Sequence, residues 1–99
     1  MLKINQTRNE KKVTVELEGR LDTNTAPELE AAFGEILEGV ESLVLDFEKL
    51  EYVSSAGLRV LLSAQKTMAK QGEMKLVHVN ETIGEIFEVT GFCDILTIE

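Results

Sequence analysis

The amino-acid sequence predicts an α/β fold: a mostly parallel mixed sheet with helices packed against it, in the order β-β-α-β-α-β-α-β. Three patterns carry this reading. Two β-like runs open the chain with only polar residues between them, which makes an antiparallel hairpin. Helix-period stretches then alternate with apolar strand-like runs, which calls for parallel strands joined by helical crossovers. The 99 residues set the scale at one domain, residues 1–99, with a single modest core.

The elements follow in order. The first strand is read in "MLKI" and the second in "VTVELEG", with a turn around Arg8-Asn9-Glu10. Val13, Val15 and Leu17 alternate with Thr14, Glu16 and Glu18, a period of two that buries one face. Thr25 and Glu28 have the spacing of a capping box, and Pro27 falls in the first turn, where its missing N–H costs nothing. Leu29, Phe33, Ile36 and Leu37 then line one helical face, and Gly39 stops the helix. "SLVLDF", residues 42–47, is nearly all apolar and reads as an interior strand covered on both faces.

A second helix carries Leu58, Leu61, Leu62, Met68 and Ala69 as its stripe. Lys66 and Lys70 suit the dipole of its last turns, and Gly72 ends it. "MKLVHV", residues 74–79, alternates as a strand. Asn80 caps a short helix holding Ile83, Ile86 and Phe87. Gly91 stops it, and "DILTI" is the last strand.

Composition narrows the function. A net charge of −8 repels phosphate backbones and anionic lipid, so no nucleic acid is expected as partner. Proteins with a basic patch are. The lack of Trp argues against a stacking platform for single strands. No apolar run approaches the length of a membrane helix, so no direct membrane insertion is expected. One cysteine, Cys93, excludes an intrachain disulfide and suits a reducing compartment, and no leader pattern is visible; a cytoplasmic location is expected.

Catalytic chemistry has little to work with. The chain carries no GxxxxGK[ST], GxGxxG or GxSxG motif. His78 lies in the strand pattern and reads as a structural or surface histidine. Cys93 has no neighbour to stabilise a thiolate. One His and one Cys do not make a zinc site. No enzyme activity, metal or cofactor is expected.

The stretch left over is "EYVSSAGLRVLLSAQK", residues 51–66. Ser54 and Ser55 stand where the second helix begins. One reading makes them caps, each substitution by Ala costing about 1 kcal/mol. Neither serine has a Glu or Gln three residues on, so the first-turn amides lack an internal anion. That leaves a second reading, in which a phosphate on the hydroxyl adds roughly −1.5 to −2 charges at a helix mouth suited to anions. Ala56 and Gly57 add little bulk there, so another protein could approach the backbone.

These segments resemble the STAS-domain family, in particular bacterial anti-sigma factor antagonists, over nearly the whole chain. "GRLDTNTAPELEAAF" is similar to the family's G-x-(L/I/V)-D segment leading into its first helix. "SLVLDFEKLEYVSSAGLRVLL" resembles its strand, loop and phosphorylatable D-S-(S/T/A)-G-L block, and "GFCDILTI" its closing segment. The resemblance implies the STAS fold and a regulatory switch. The unphosphorylated antagonist would bind an anti-sigma factor that is also a serine kinase of the GHKL ATPase type, and so free the sigma factor. Phosphorylation would break that complex, and a serine phosphatase would restore it.

By this resemblance Ser55 is the phosphorylated residue and Ser54 a second candidate acceptor. Asp22 matches the family's acid at the end of the second strand. Asp22, Ser54, Ser55, Ala56, Gly57, Leu58 and Arg59 form the partner-binding set. The family's Asp before the phosphoserine is Ser54 here, Arg20 stands where other members carry an acid, and Arg59 stands where glycine is frequent. Arg59 faces the loop or the partner, or is a solvated helix residue. An alternative within the family is a STAS subunit that supports the ATPase of an ABC-type lipid transporter, in which Ser55 is only a cap.

Overall fold

A computed structural model describes residues 2–99; Met1, the first residue of the predicted opening strand, lies outside the described residues. Strands β1 (Leu2–Asn9), β2 (Lys12–Leu21), β3 (Ser42–Val53), β4 (Glu73–Val77) and β5 (Thr97–Ile98) form one sheet in the order β1-β2-β3-β4-β5. Helices α1 (Ala26–Ile36), α2 (Ser55–Gln71) and α3 (Glu81–Thr90) fill the crossovers. The β1–β2 pair is antiparallel and every later pair is parallel. The predicted architecture and element order therefore hold.

The hairpin is longer than its apolar content suggests. Asn9 pairs with Lys12 across a two-residue turn, and Glu10 adopts φ 59, in the left-handed region. Of the polar residues expected to interrupt the strands, Asn5 to Asn9 belong to β1 and Lys12 to β2, leaving only Glu10 and Lys11 as the turn. As an edge strand, β1 is held by its backbone ladder to β2; Leu2 is buried and Ile4 half-buried, while the side chains of Asn5 to Asn9 stay in solvent.

Val13, Val15 and Leu17 of β2, Leu43, Leu45 and Phe47 of β3, and Met74 and Leu76 of β4 form the buried floor. The residues between them (Thr14, Glu16, Val44, Asp46, Lys75 and Val77) are exposed or half-buried. The helices thus cover one face of the sheet. This corrects the expectation that β3 is covered on both faces, and it fits same-handed crossovers between strands laid down in chain order. Leu29, Phe33 and Ile36 of α1, Leu61, Ala64 and Met68 of α2, and Ile83 and Phe87 of α3 close the core from above. Phe87 packs on Phe47 with ring centroids 6.3 Å apart. The Gln71 side-chain amide donates to the carbonyls of Leu37 and Val40 at 2.6 and 2.7 Å, tying the ends of α1 and α2 together.

Three boundaries differ from expectation. β3 continues to Val53 because the register with β2 shifts between Glu16 and Glu18 and again between Gly19 and Arg20. Beyond Phe47 the buried positions become Leu50 and Val53, three apart, and the period-two signal vanishes. β4 ends at Val77, and His78, expected inside the strand, turns out of it at φ 57. The expected last strand over residues 94–98 shrinks to Thr97–Ile98. Gly91 exits α3 at φ 81, and the Ile95 and Leu96 amides donate back to the Phe92 carbonyl around a 3-10 turn. Among the described residues, no helix is long and apolar enough to cross a membrane.

Candidate functional site

The site forms where the parallel strands β2 and β3 end side by side. Leu21 pairs with Val53, and the Ser54 N–H donates to the Leu21 carbonyl at 2.8 Å. Asp22 and Ser54 therefore leave the sheet from adjacent strand ends. The loop after β2 is pinned by its own side chains. Asp22 Oδ1 accepts from the Asn24 and Thr25 amides, each at 3.0 Å. Buried Thr25 donates its hydroxyl to the Arg20 carbonyl at 2.7 Å, and its Oγ1 accepts from the Asp22 amide at 2.9 Å. The predicted capping box does not form. The Thr25 hydroxyl turns back to the strand end rather than toward the helix, and makes no cap bond. The Thr25 amide, chiefly, holds the Asp22 carboxyl below its ordinary range. Burial opposes it, and the Thr25 hydroxyl and Asn24 amide add to it.

At the mouth of α2 the two serines divide their roles. Ser54 is the N-cap, with extended backbone, and its Oγ accepts from the Gly57 amide at 3.3 Å. One amide expected to lack an internal partner is therefore satisfied. Ser55 is the first helical residue and is exposed. Gly57 and Leu58 face inward, Ala56 is half-buried, and Arg59 is exposed. A Cβ on Gly57 would lie 2.6 Å from Leu21 Cγ and 3.1 Å from the Leu21 carbonyl oxygen. The glycine lets α2 approach the end of β2, so its bareness serves packing inside the domain. Arg59 lines a shallow groove with Thr23, Ala26, Pro27 and Glu30 between the starts of α1 and α2.

Sequence reasoning missed the flank of this surface. The Arg20 guanidinium lies 4.7 Å from the Tyr52 ring centroid, and its Nε is 4.0 Å from Asp22 Oδ2. Arg20 and Tyr52 are cross-strand partners only because of the second register shift, which nothing in the local pattern announces. Cys93 is exposed, as a free thiol.

A second cluster lies on the uncovered sheet face. Asp46, Glu48 and His78 bring candidate ligand atoms within 4.8 Å of one another. Within it, His78 Nδ1 and Asp46 Oδ1 are 2.9 Å apart, and Asp46 Oδ1 also accepts from the Glu48 amide at 2.9 Å. The Asp46 hydrogen bond, then its charge, raises the His78 pKa above its ordinary 6.5; desolvation pulls the other way. Desolvation also opposes ionisation of Asp46, but the Glu48 amide and His78 outweigh it and hold its pKa below 3.8. The histidine contribution is complete below pH 6.5 and is lost as pH rises through the raised His78 value. The aspartate contribution is complete above pH 3.8 and is lost as pH falls through the lowered Asp46 value. The pair therefore stabilises most between these limits. An NMR titration of His78 should show a midpoint above 6.5 that returns toward that value in Asp46→Asn; an unmoved midpoint would contradict the pairing.

A family model described as STAS domain matches residues 3–99. The chain belongs to the STAS-domain family. Among its relatives is BtrV of Bordetella bronchiseptica, a candidate anti-sigma factor antagonist, 37% identical over 83% of this STAS domain and 72% of that protein. The anti-sigma-B factor antagonist of Staphylococcus aureus is 29% identical over 98% of the chain and 92% of its own length. The fold matches that of the anti-sigma factor antagonist SpoIIAA of Bacillus, solved in unphosphorylated and phosphorylated forms. The TM-score is 0.74 for both, at 18% and 19% identity, over 100% and 98% of this chain and 87% and 91% of those chains.

Proposed function

We propose that this STAS domain is an anti-sigma factor antagonist whose binding is switched by phosphorylation of Ser55. The observation that carries the reading is the division between the serines. The Ser55 hydroxyl is exposed at the first position of α2, whereas Ser54 is occupied as its cap. Kinship with anti-sigma factor antagonists supports the choice of partner, and the two solved forms of SpoIIAA support the switch.

In this reading the partner is an anti-sigma factor that is a GHKL-type serine kinase, acting in the cytoplasm. Unmodified, the surface around Asp22, Ser54, Ser55, Ala56 and Arg59 docks the partner and displaces the sigma factor. Gly57 and Leu58 shape that surface from beneath. The kinase transfers the γ-phosphoryl group of ATP. The Ser55 Oγ–P bond forms, the bond to ADP breaks, and the hydroxyl proton leaves to a base on the kinase. The dianion then stands desolvated within the interface, with no cation of the partner placed to pair it, and the complex dissociates. A serine phosphatase hydrolyses the ester and resets the surface. The domain itself is substrate and binding module, with no catalytic step of its own.

The test is intact-mass and phosphopeptide analysis after incubation with ATP and the native anti-sigma factor kinase. One phosphate is expected, on Ser55, retained in Ser54→Ala and absent in Ser55→Ala. Phosphate on Ser54, or no phosphate together with stable binding to a transporter ATPase, would overturn the reading.

A further inference from the structure

We propose that Arg59 is the internal receiver of a phosphoryl group on Ser55, clamping it against the first turn of α2. The inference rests on the reading of Ser55 as the modified residue and adds what becomes of the charge once it is there. Ser55 and Arg59 are four residues apart in α2, so they share a helix face one turn apart. Helical side chains lean toward the N-terminus, which directs the longer Arg59 back over Ser55. Both residues are exposed. Arg59 forms none of the ion pairs found among the described residues, although the chain holds eighteen Asp and Glu. A guanidinium meets a phosphate through two parallel, charge-assisted hydrogen bonds, a geometry a single ammonium cannot reproduce.

The same geometry separates the two serines. Ser54 is five residues from Arg59, on another side of the helix axis, and its Oγ is turned to the Gly57 amide. Glu30 of α1 lines the groove with Arg59, and Asp22 directly precedes Thr23, which also lines it. Neither is a salt-bridge partner of Arg59 among the described residues. A phosphate on its own helix would therefore take the guanidinium, drawing it away from the groove it lines with Thr23, Ala26 and Pro27. Modification then changes the surface twice, by adding an anion and by withdrawing a cation from the same patch.

The test uses the full chain with phosphoserine genetically encoded at position 55, followed by phosphorus NMR as a function of pH. The second ionisation of the phosphate is expected about half a unit lower in the wild-type background than in Arg59→Gln. Arg59→Lys should fall between them, and Lys66→Gln, which removes an exposed cation farther along α2, should match wild type. Helix-mouth amides act equally in every variant, so the difference isolates Arg59. Coincident midpoints in wild type and Arg59→Gln would overturn the proposal, as would an equal shift in Lys66→Gln. Because the phosphate is installed during translation, the result does not depend on whether a kinase modifies Ser55. Kinase mapping could fail while the clamp is found, or the reverse.

Discussion

Gly72→Ala is expected to remove about 3 kcal/mol or more of stability, lowering the melting temperature by roughly 12 °C or more. Gly72 caps α2, its amide donating to the Met68 carbonyl at 2.6 Å, and the next residue starts β4 with the Glu73 amide donating to the Glu41 carbonyl at 3.0 Å. The chain thus passes from helix to sheet directly against the peptide of Glu41. A Cβ on Gly72 would sit 1.8 Å from the Glu41 carbonyl oxygen and 2.5 Å from its carbon. Its φ of 172 is ordinary extended backbone, so the penalty is steric. Backbone cannot swing aside as a flexible side chain can. Either α2 lifts, endangering the Gln71 bridges to α1, or the start of β3 shifts its register with β4. Denaturant unfolding with an unchanged m-value checks the figure, and a loss under 1 kcal/mol would mean the junction is looser than its geometry.

Ser55→Asp is expected to weaken the complex with the anti-sigma factor about a thousandfold, which is about 4 kcal/mol. Ser55→Ala should stay within about threefold of wild type, since the hydroxyl is exposed and caps nothing. The two substitutions act oppositely on the fold. A carboxylate at the first helical position favours the dipole by about 0.3–1 kcal/mol, so Ser55→Asp should melt no lower than wild type. Lost binding with undiminished stability identifies charge at the interface, and unfolding is excluded by the same measurement. Titration calorimetry at two salt concentrations measures it. If Ser55→Asp bound as tightly as wild type, the electrostatic account would be wrong.

Most of the helical framework was legible because its signals are local. The stripe of Leu58, Leu61 and Met68, the Asn80 cap with its 2.9 Å bond from the Ile83 amide, and the Gly72 and Gly91 stops all survive. What was not legible depends on neighbours distant in sequence. The second half of β1, Asn5 to Asn9, is polar, and only pairing with β2 keeps it in the strand. β3 loses its alternation where the ladder slips, so the expected strand stopped at Phe47. Thr25 carried the right spacing for a capping box, yet the Arg20 carbonyl claimed its hydroxyl first. The site shows the same division. The family resemblance grouped Asp22 with Ser54 and Ser55, but which serine caps was decided by the direction in which the strand end delivers the chain. The Arg20–Tyr52 stack needed a register that only the folded sheet reveals.

Leu21 touches the helix mouth twice, its carbonyl holding the Ser54 amide and its side chain lying where a Gly57 Cβ would go. The residue is fully enclosed, so the platform under Ser55 is as stiff as the interior itself. If Ser55 is the residue modified, such a mounting makes the domain a label rather than a lever: the mark would be written on its skin, and a reader would sense altered surface chemistry on an unmoved backbone.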